Sequence, residues 1–200
     1  MTNFDLIPDI DKLETLFIME SPYIEELKTG IPCSGGTGKR MSAQIFGNND
    51  EAFGKLLSSK QDFTLKYGIM NSFPFALGLA QSLPKEQQIF TKIKDIKYTT
   101  RTEFYNQHLS VLSNMGNVEE HTQFKGRLIQ YINNAPNLKH LIFCGYIAQA
   151  MYLYAFKQAI LPYNKLTLLK TKRTKDTFIL FVNHPSEKNP VWDFNVGSIK

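Results

Sequence analysis

Short apolar runs punctuate the chain, and segments whose apolar residues recur at helical spacing lie between them. Thr15–Met19 (TLFIM) lacks helical spacing and stops at a Ser-Pro break, which predicts a buried strand. A glycine-rich loop follows. Ser42 then stands as the N-cap of a predicted helix with Ile45, Phe46, Phe53, Leu56 and Leu57 on one face. Leu65–Met70 (LKYGIM) predicts a second strand that ends at Asn71-Ser72 and Pro74. Two helices are predicted from Arg101 to Met115 and from Glu119 to Asn133, the second striped by Phe124, Leu128, Ile129 and Ile132. His140–Cys144 (HLIFC) predicts a strand that Gly145 turns into an apolar helix, YIAQAMYLYAF. The stretch LTLLKTKRTKDTFILFV reads as two strands joined by a basic turn, the second being Thr177–Val182.

Strands alternating with helical segments predict an α/β sheet with helices on both faces. Neither a repeat nor a linker interrupts it, so residues 1–200 are read as one domain. In such sheets ligands gather at the carboxyl ends of strands. Three of those ends carry polar groups capable of chemistry: Glu20-Ser21-Pro22-Tyr23, Asn71-Ser72 and Asn183-His184-Pro185-Ser186.

Composition narrows the picture. A 42% hydrophobic fraction with 12% aromatics suits a globular chain and argues against disorder. The two cysteines, Cys33 and Cys144, are too few for a disulfide scaffold or for four thiolate ligands. An acidic N-terminus without a basic-then-apolar leader, and no apolar run near the ~20 residues of a membrane span, predict a soluble, cytoplasmic protein. Net charge is +5 with a pI of about 9.1, which is compatible with a nucleic-acid partner and equally with a merely basic protein. Lys165, Lys170, Lys172, Arg173 and Lys175 cluster late, and Lys85, Lys92, Lys94 and Lys97 cluster mid-chain, each read as a solvated face.

The glycine-rich stretch ESPYIEELKTGIPCSGGTGKR looks like a phosphate cradle. A Walker loop needs G-x-x-x-x-G-K-[ST], however, and here Cys33 stands at the first glycine and Arg40 at the hydroxyl. A kinase-like nucleotide site is therefore disfavoured. The same stretch resembles motif one of the uracil-DNA glycosylase superfamily, particularly its cluster-containing bacterial and archaeal branch. That branch has G-E-A-P-G, acidic residues, and then G-R-P-F-V-G-x-A-G-K. Glu20, Pro22, Glu25, Glu26, Gly30, Pro32, Gly35, Gly38 and Lys39 fall at matching positions without gaps. YGIMNSFPF resembles the family's base-reading strand. VNHPSEKNP resembles its H-P-S motif in the HPSxxNP form of the single-strand-selective branch, and HLIFCGYIAQAMYL resembles the strand-glycine-helix element before it.

The resemblance implies a three-layer α/β/α fold around a central, mostly parallel, four-stranded sheet. It also implies a monomeric, monofunctional DNA glycosylase that flips uracil or a related deaminated base from DNA and hydrolyses its N-glycosidic bond. No cofactor or metal is implied, and with only Cys33 and Cys144 no iron–sulfur cluster is expected, although the branch carries one. Asn71 would read the uracil edge through its amide donor and acceptor. His184 would donate to uracil O2 as charge builds on the departing base. Glu20 or Glu26 would position water, because Ser21 stands where some members have aspartate. Pro22 belongs to the same pocket wall, and Tyr23 would crowd the pyrimidine C5. Cys33 replaces the phenylalanine that stacks on the flipped base, leaving Phe73 or Phe75 as the platform. Ser34, Gly35, Gly36 and Ser186 would contact phosphates, with Lys39 and Lys188 adding charge. Val191 or Trp192 would fill the space left by the flipped nucleotide, with Trp192 equally suited to the core. The competing expectation is a glycosylase-like domain that binds DNA or a partner without excision. Ser21, Cys33 and Met19, in place of the motif's first glycine, all bear on it.

Overall fold

The computed structural model describes residues 5–79, 81, 83, 85–114, 119–169, 176–186, 192–195 and 197. Its five strands are β1 (Thr15–Met19), β2 (Tyr67–Asn71), β3 (His140–Cys144), β4 (Thr167–Leu169) and β5 (Thr177–Val182). They form one sheet in the order β2-β1-β3-β5-β4, parallel throughout except for the antiparallel β4–β5 pair. The resemblance implied four strands; the fifth, β4, lies in the LTLL stretch that the apolar pattern read as a strand. β4 is a three-residue strand that folds back on the outer edge of β5 and stays only partly covered. At the opposite edge, Leu6 forms an isolated antiparallel bridge with Ile69 of β2.

Side chains along each parallel strand alternate between two separate cores. Leu16, Ile18, Met70, Leu141, Phe143, Ile179 and Phe181 enter one. Phe17, Met19, Ile69, Ile142, Cys144, Leu180 and Val182 enter the other. Both faces are buried, which is why the strands read as unbroken apolar runs. The first core is closed by α5 (Arg101–Asn114), α6 (Glu119–Asn134) and α7 (Tyr146–Phe156). The second is closed by α2 (Gly36–Phe46) and α3 (Phe53–Ser58), together with Trp192 and Phe194. The chain is therefore α/β, with helices on both sides of a mostly parallel sheet. No helix among the described residues is long and apolar enough to cross a membrane.

Three local expectations need correction. The helix expected to begin at Ser42 starts at Gly36, and Ser42 lies buried inside it. It ends at Gly47, whose φ of +73° gives a left-handed cap, so Phe53, Leu56 and Leu57 belong to a separate helix. On α6, Ile129 is exposed and His121 takes its place in the buried stripe with Phe124, Leu128 and Ile132. A short helix, α1 (Ile24–Thr29), carries Glu25 and Glu26, and α4 (Lys85–Gln88) leads into a 3₁₀ segment, Ile89–Asp95.

His108 is buried on α5 against the Phe104 ring, and His121 packs between Phe90 and Tyr154. Burial pushes His108 down to about 3 and His121 down to about 4. Both folded values lie below that of a free histidine, about 6.5, so the unfolded chain binds more protons in acid. Stability is intact above about pH 6.5 and falls by about 1.4 kcal/mol per pH unit per histidine as pH drops toward the folded values. Urea unfolding followed from about pH 7 to about pH 4.5 is expected to show this decline. His108→Gln should make it shallower by about one proton, and an unchanged slope would refute the assignment.

Candidate functional site

All four parallel strands run in one direction, so their carboxyl ends form a single edge. Asn71 closes β2 opposite Met19, Glu20 follows β1, Gly145 follows β3, and Asn183-His184 follow β5. Chain order reverses at β1, with β2 on one side and β3 on the other. This is the point where open α/β sheets hold ligands.

The backbone after β2 is laid over the end of β1. Ser72 donates to the Met19 carbonyl through its N–H and its hydroxyl, each at 2.8 Å, and the Phe73 N–H donates to the Glu20 carbonyl at 3.1 Å. Glu20 Oε1 lies 2.8 Å from Lys94 Nζ, in a pair that is only partly exposed. Lys94, carried by the 3₁₀ segment, was grouped by sequence with a solvated face; no local pattern marks its approach to a strand end far away in the chain. Ser21 Oγ accepts from the Leu77 N–H at 3.5 Å, and Pro22 is buried. Tyr23 is 59% exposed. A Cβ built on Gly78 would meet Tyr23 Cε2 at 3.5 Å and Lys94 Nζ at 3.8 Å, so these two side chains border the same gap.

His184 packs on Gly145. A Cβ there would lie 2.9 Å from His184 Cβ, and Gly145 has φ +90°, so both space and backbone demand glycine. Burial holds the His184 imidazole below the usual histidine range; the Glu20 carboxylate opposes this and the Lys94 ammonium reinforces it. The ring is neutral at neutral pH, able to donate one N–H without carrying charge.

Asn71 is 1% exposed and sits in a clamp that sequence reasoning missed. Its N–H donates to Asp5 Oδ1 at 3.2 Å, and its carbonyl accepts from Arg127 Nη2 at 2.8 Å. Arg127 Nη1 donates to both Asp5 oxygens at 2.6 and 2.7 Å, and the Tyr131 hydroxyl donates to Asp5 Oδ2 at 3.0 Å. The side chains of Asp5 and Arg127 are 5% and 11% exposed, so this is a buried ion pair joining the N-terminal segment, β2 and α6.

The glycine-rich loop divides into packing and open parts. Glu26, buried on α1, accepts from the Tyr23 N–H at Oε2 and from the Cys33 N–H at Oε1. Burial raises its carboxyl above the ordinary value, against the pull of those two bonds. Both oxygens are thus engaged in holding the loop, whereas Glu20 stands at the strand end. The Cys33 side chain points into the second core, and burial lifts its thiol well above the normal range. It packs in the core and offers no surface to a base. Phe73 and Phe75 are likewise buried, in a triad with Phe90 at centroid separations of 5.2 to 5.8 Å. Gly38 is required because a Cβ would fall 1.7 Å from the Cys33 carbonyl oxygen; at Gly54 a Cβ would fall 1.7 Å from that of Pro32. By contrast, Gly35 is the N-cap of α2 and Gly36 is exposed, with no acidic residue in the first turn. Ser34 Oγ shares a 2.8 Å hydrogen bond with Thr29 Oγ1. This leaves a helix N-terminus suited to an anion, with exposed Lys39 in its first turn.

Arg40, which read only as a misplaced hydroxyl, donates to the Ser186 carbonyl at 2.5 Å and ties α2 to the H-P-S segment. Trp192, expected to insert into DNA, is 5% exposed and packs against Phe17 and Phe194 in the second core. Its size and apolar surface are spent on burial, so of the two alternatives the core placement holds and insertion does not. Lys188, Val191, Lys170, Lys172, Arg173 and Lys175 lie outside the described residues. Two surface concavities are lined by Asp5, Ile7, Ile10, Gln130, Tyr131 and Asn134, and by Phe46, Asn48, Asp50, Glu51, Leu56 and Phe63. Neither includes Glu20, Asn71 or His184.

No protein-family model matches the chain, and no curated protein matches its sequence.

Removing one partner of the buried clamp strands the other charge. Arg127→Met is expected to cost about 3 kcal/mol in chemical unfolding. Adding Asp5→Asn to it should recover much of that loss, because the carboxylate then no longer lies unpaired. Equal stability of Arg127→Met and the parent protein would show that the clamp is dispensable.

Proposed function

We propose that this protein is a monofunctional DNA glycosylase, which hydrolyses the N-glycosidic bond of uracil or a related deaminated base after flipping it out of DNA. The observation that carries the reading is the convergence of three motif-bearing segments on one sheet edge. Glu20 and His184 are close enough there for the carboxylate to act on the imidazole. In this scheme Asn71 reads the base edge, held in place through its backbone by Asp5 and Arg127. His184, neutral, donates to the oxygen on which charge develops, and Glu20 orients the attacking water. The open N-terminus of α2 at Gly35-Gly36 receives a phosphate, with Ser186 held nearby by Arg40. Glu26 acts by shaping the loop.

A second reading, a domain that binds DNA without excision, is favoured by one observation. Asn71 is almost fully buried, so a base reaches its amide only after neighbouring side chains move aside.

Oligonucleotides carrying uracil, hypoxanthine, xanthine or a thymine mismatch, treated with protein and then alkali, separate the two. Strand cleavage at uracil is expected. His184→Ala should slow it by roughly 10²- to 10³-fold, the scale for losing one preorganised donor. Asn71→Ala should abolish the preference for uracil, and Glu20→Gln should slow excision while leaving stability nearly unchanged. Glu26→Gln should instead lower the unfolding midpoint. DNA binding with no cleavage at any of these bases would reject the enzyme in favour of the binding domain.

A further inference from the structure

Beside the strand-end site runs a rim that the proposed chemistry does not use. The 3₁₀ segment Ile89–Asp95 presents Lys94 to Glu20, and the chain then continues through Lys97 and Tyr98 to Arg101 at the start of α5. Lys92, Lys97 and Tyr98 are exposed, with Tyr98 at 44%. From Lys92 to Arg101 the sequence carries four cationic side chains against one carboxylate, Asp95.

The exposed ring is not loose. Tyr98 rests edge-on against Phe104 at 4.7 Å and against Tyr146 at 5.5 Å. Tyr146 follows Gly145, the residue on which His184 packs. The Arg101 guanidinium stacks 3.1 Å over the Tyr163 ring and 5.2 Å from that of Tyr146, and donates to the Tyr146 hydroxyl at 3.4 Å. A supported aromatic face therefore adjoins the His184 end of the site. Tyr98 lies four positions after Lys94, a reach of at most ~14 Å of extended chain. An exposed ring flanked by cations suits a polyanion whose bases are free to stack, because base–aromatic stacking tolerates any sequence. A duplex keeps its bases stacked inside and has none to offer.

We propose that the rim from Lys92 to Arg101 is a single-stranded DNA track. Tyr98 stacks a base neighbouring the one presented to the strand-end site, while Lys92 and Lys97 meet the flanking phosphates. The placement of the strand rests on the glycosylase reading, but the track is tested without excision.

Fluorescence anisotropy of a labelled, uracil-free single-stranded oligonucleotide reads it directly, with the matching duplex as a second arm. Tyr98→Leu keeps apolar packing against Phe104 and removes the ring, so it should weaken single-strand binding about tenfold, within the range for one lost base stack. Tyr98→Phe should stay within about twofold of the parent protein, because the stacking ring remains. Lys97→Gln should reduce the salt dependence by about 0.7 in log–log slope, the share of one phosphate on a single strand. Duplex binding should not respond to Tyr98→Leu. The track is overturned if the parent protein fails to bind single strands, if Tyr98→Leu binds like the parent, or if the duplex loses as much as the single strand. Excision failing while ring-dependent binding persists would reject the glycosylase reading and leave the track. Excision persisting without ring-dependent binding would do the reverse.

Discussion

The register of four parallel strands sets what can meet at the carboxyl edge. Met19 opposite Asn71 and Cys144 opposite Val182 bring Glu20, Ser72, Gly145 and Asn183 to one line. A slip of one residue in any pair would turn that strand's apolar side chains onto the wrong face. Each strand feeds two cores, with Phe17 and Met19 entering one and Leu16 and Ile18 the other, so the slip would cost burial on both sides. The position of the site residues is thus enforced by apolar side chains that never touch the site. Gln149 reinforces the edge from within α7, donating to the carbonyls of Phe143 and Val182 at 3.1 and 2.7 Å.

The glycine-rich loop shows how one composition serves two physical needs. Gly38 and Gly54 let two backbones approach the carbonyls of Cys33 and Pro32, and any side chain there would collide with backbone. Gly35 and Gly36 instead leave the first turn of α2 open. Glu26 joins the halves by accepting from Tyr23 and Cys33, which costs desolvation of a carboxylate, offset by two charge-assisted bonds. Phosphate-loop appearance in the sequence therefore arises partly from helix–loop packing with no ligand involved.

The sequence made the apolar skeleton legible because burial on both faces writes an uninterrupted run. Thr15–Met19, His140–Cys144 and Thr177–Val182 were bounded to the residue for that reason. Polar long-range pairs leave no such trace. Arg127 lies 56 residues from Asn71 and 122 from Asp5, and Lys94 meets Glu20 across a comparable gap. The DNA-inserting role considered for Trp192, and the place of Cys33 in a base pocket, gave way for a related cause. Each sits in a segment whose motif suggests a ligand, yet each side chain was drawn into the second core, where Trp192 contacts Phe17 and Phe194. Helix ends were also illegible where a glycine decided them, since Gly47 divides one apolar face between two helices.

On the glycosylase reading proposed above, electrostatics at the edge bear on how a departing base would be received. A charged imidazole would give the stronger field, but it would have to be formed in a desolvated place beside Lys94. Burial and that ammonium both oppose it, and Glu20 does not outweigh them. A neutral donor avoids that cost and needs no reorganisation as negative charge appears. Lys94 is itself paired with Glu20 at 2.8 Å, so the carboxylate partly offsets the ammonium that keeps the imidazole neutral.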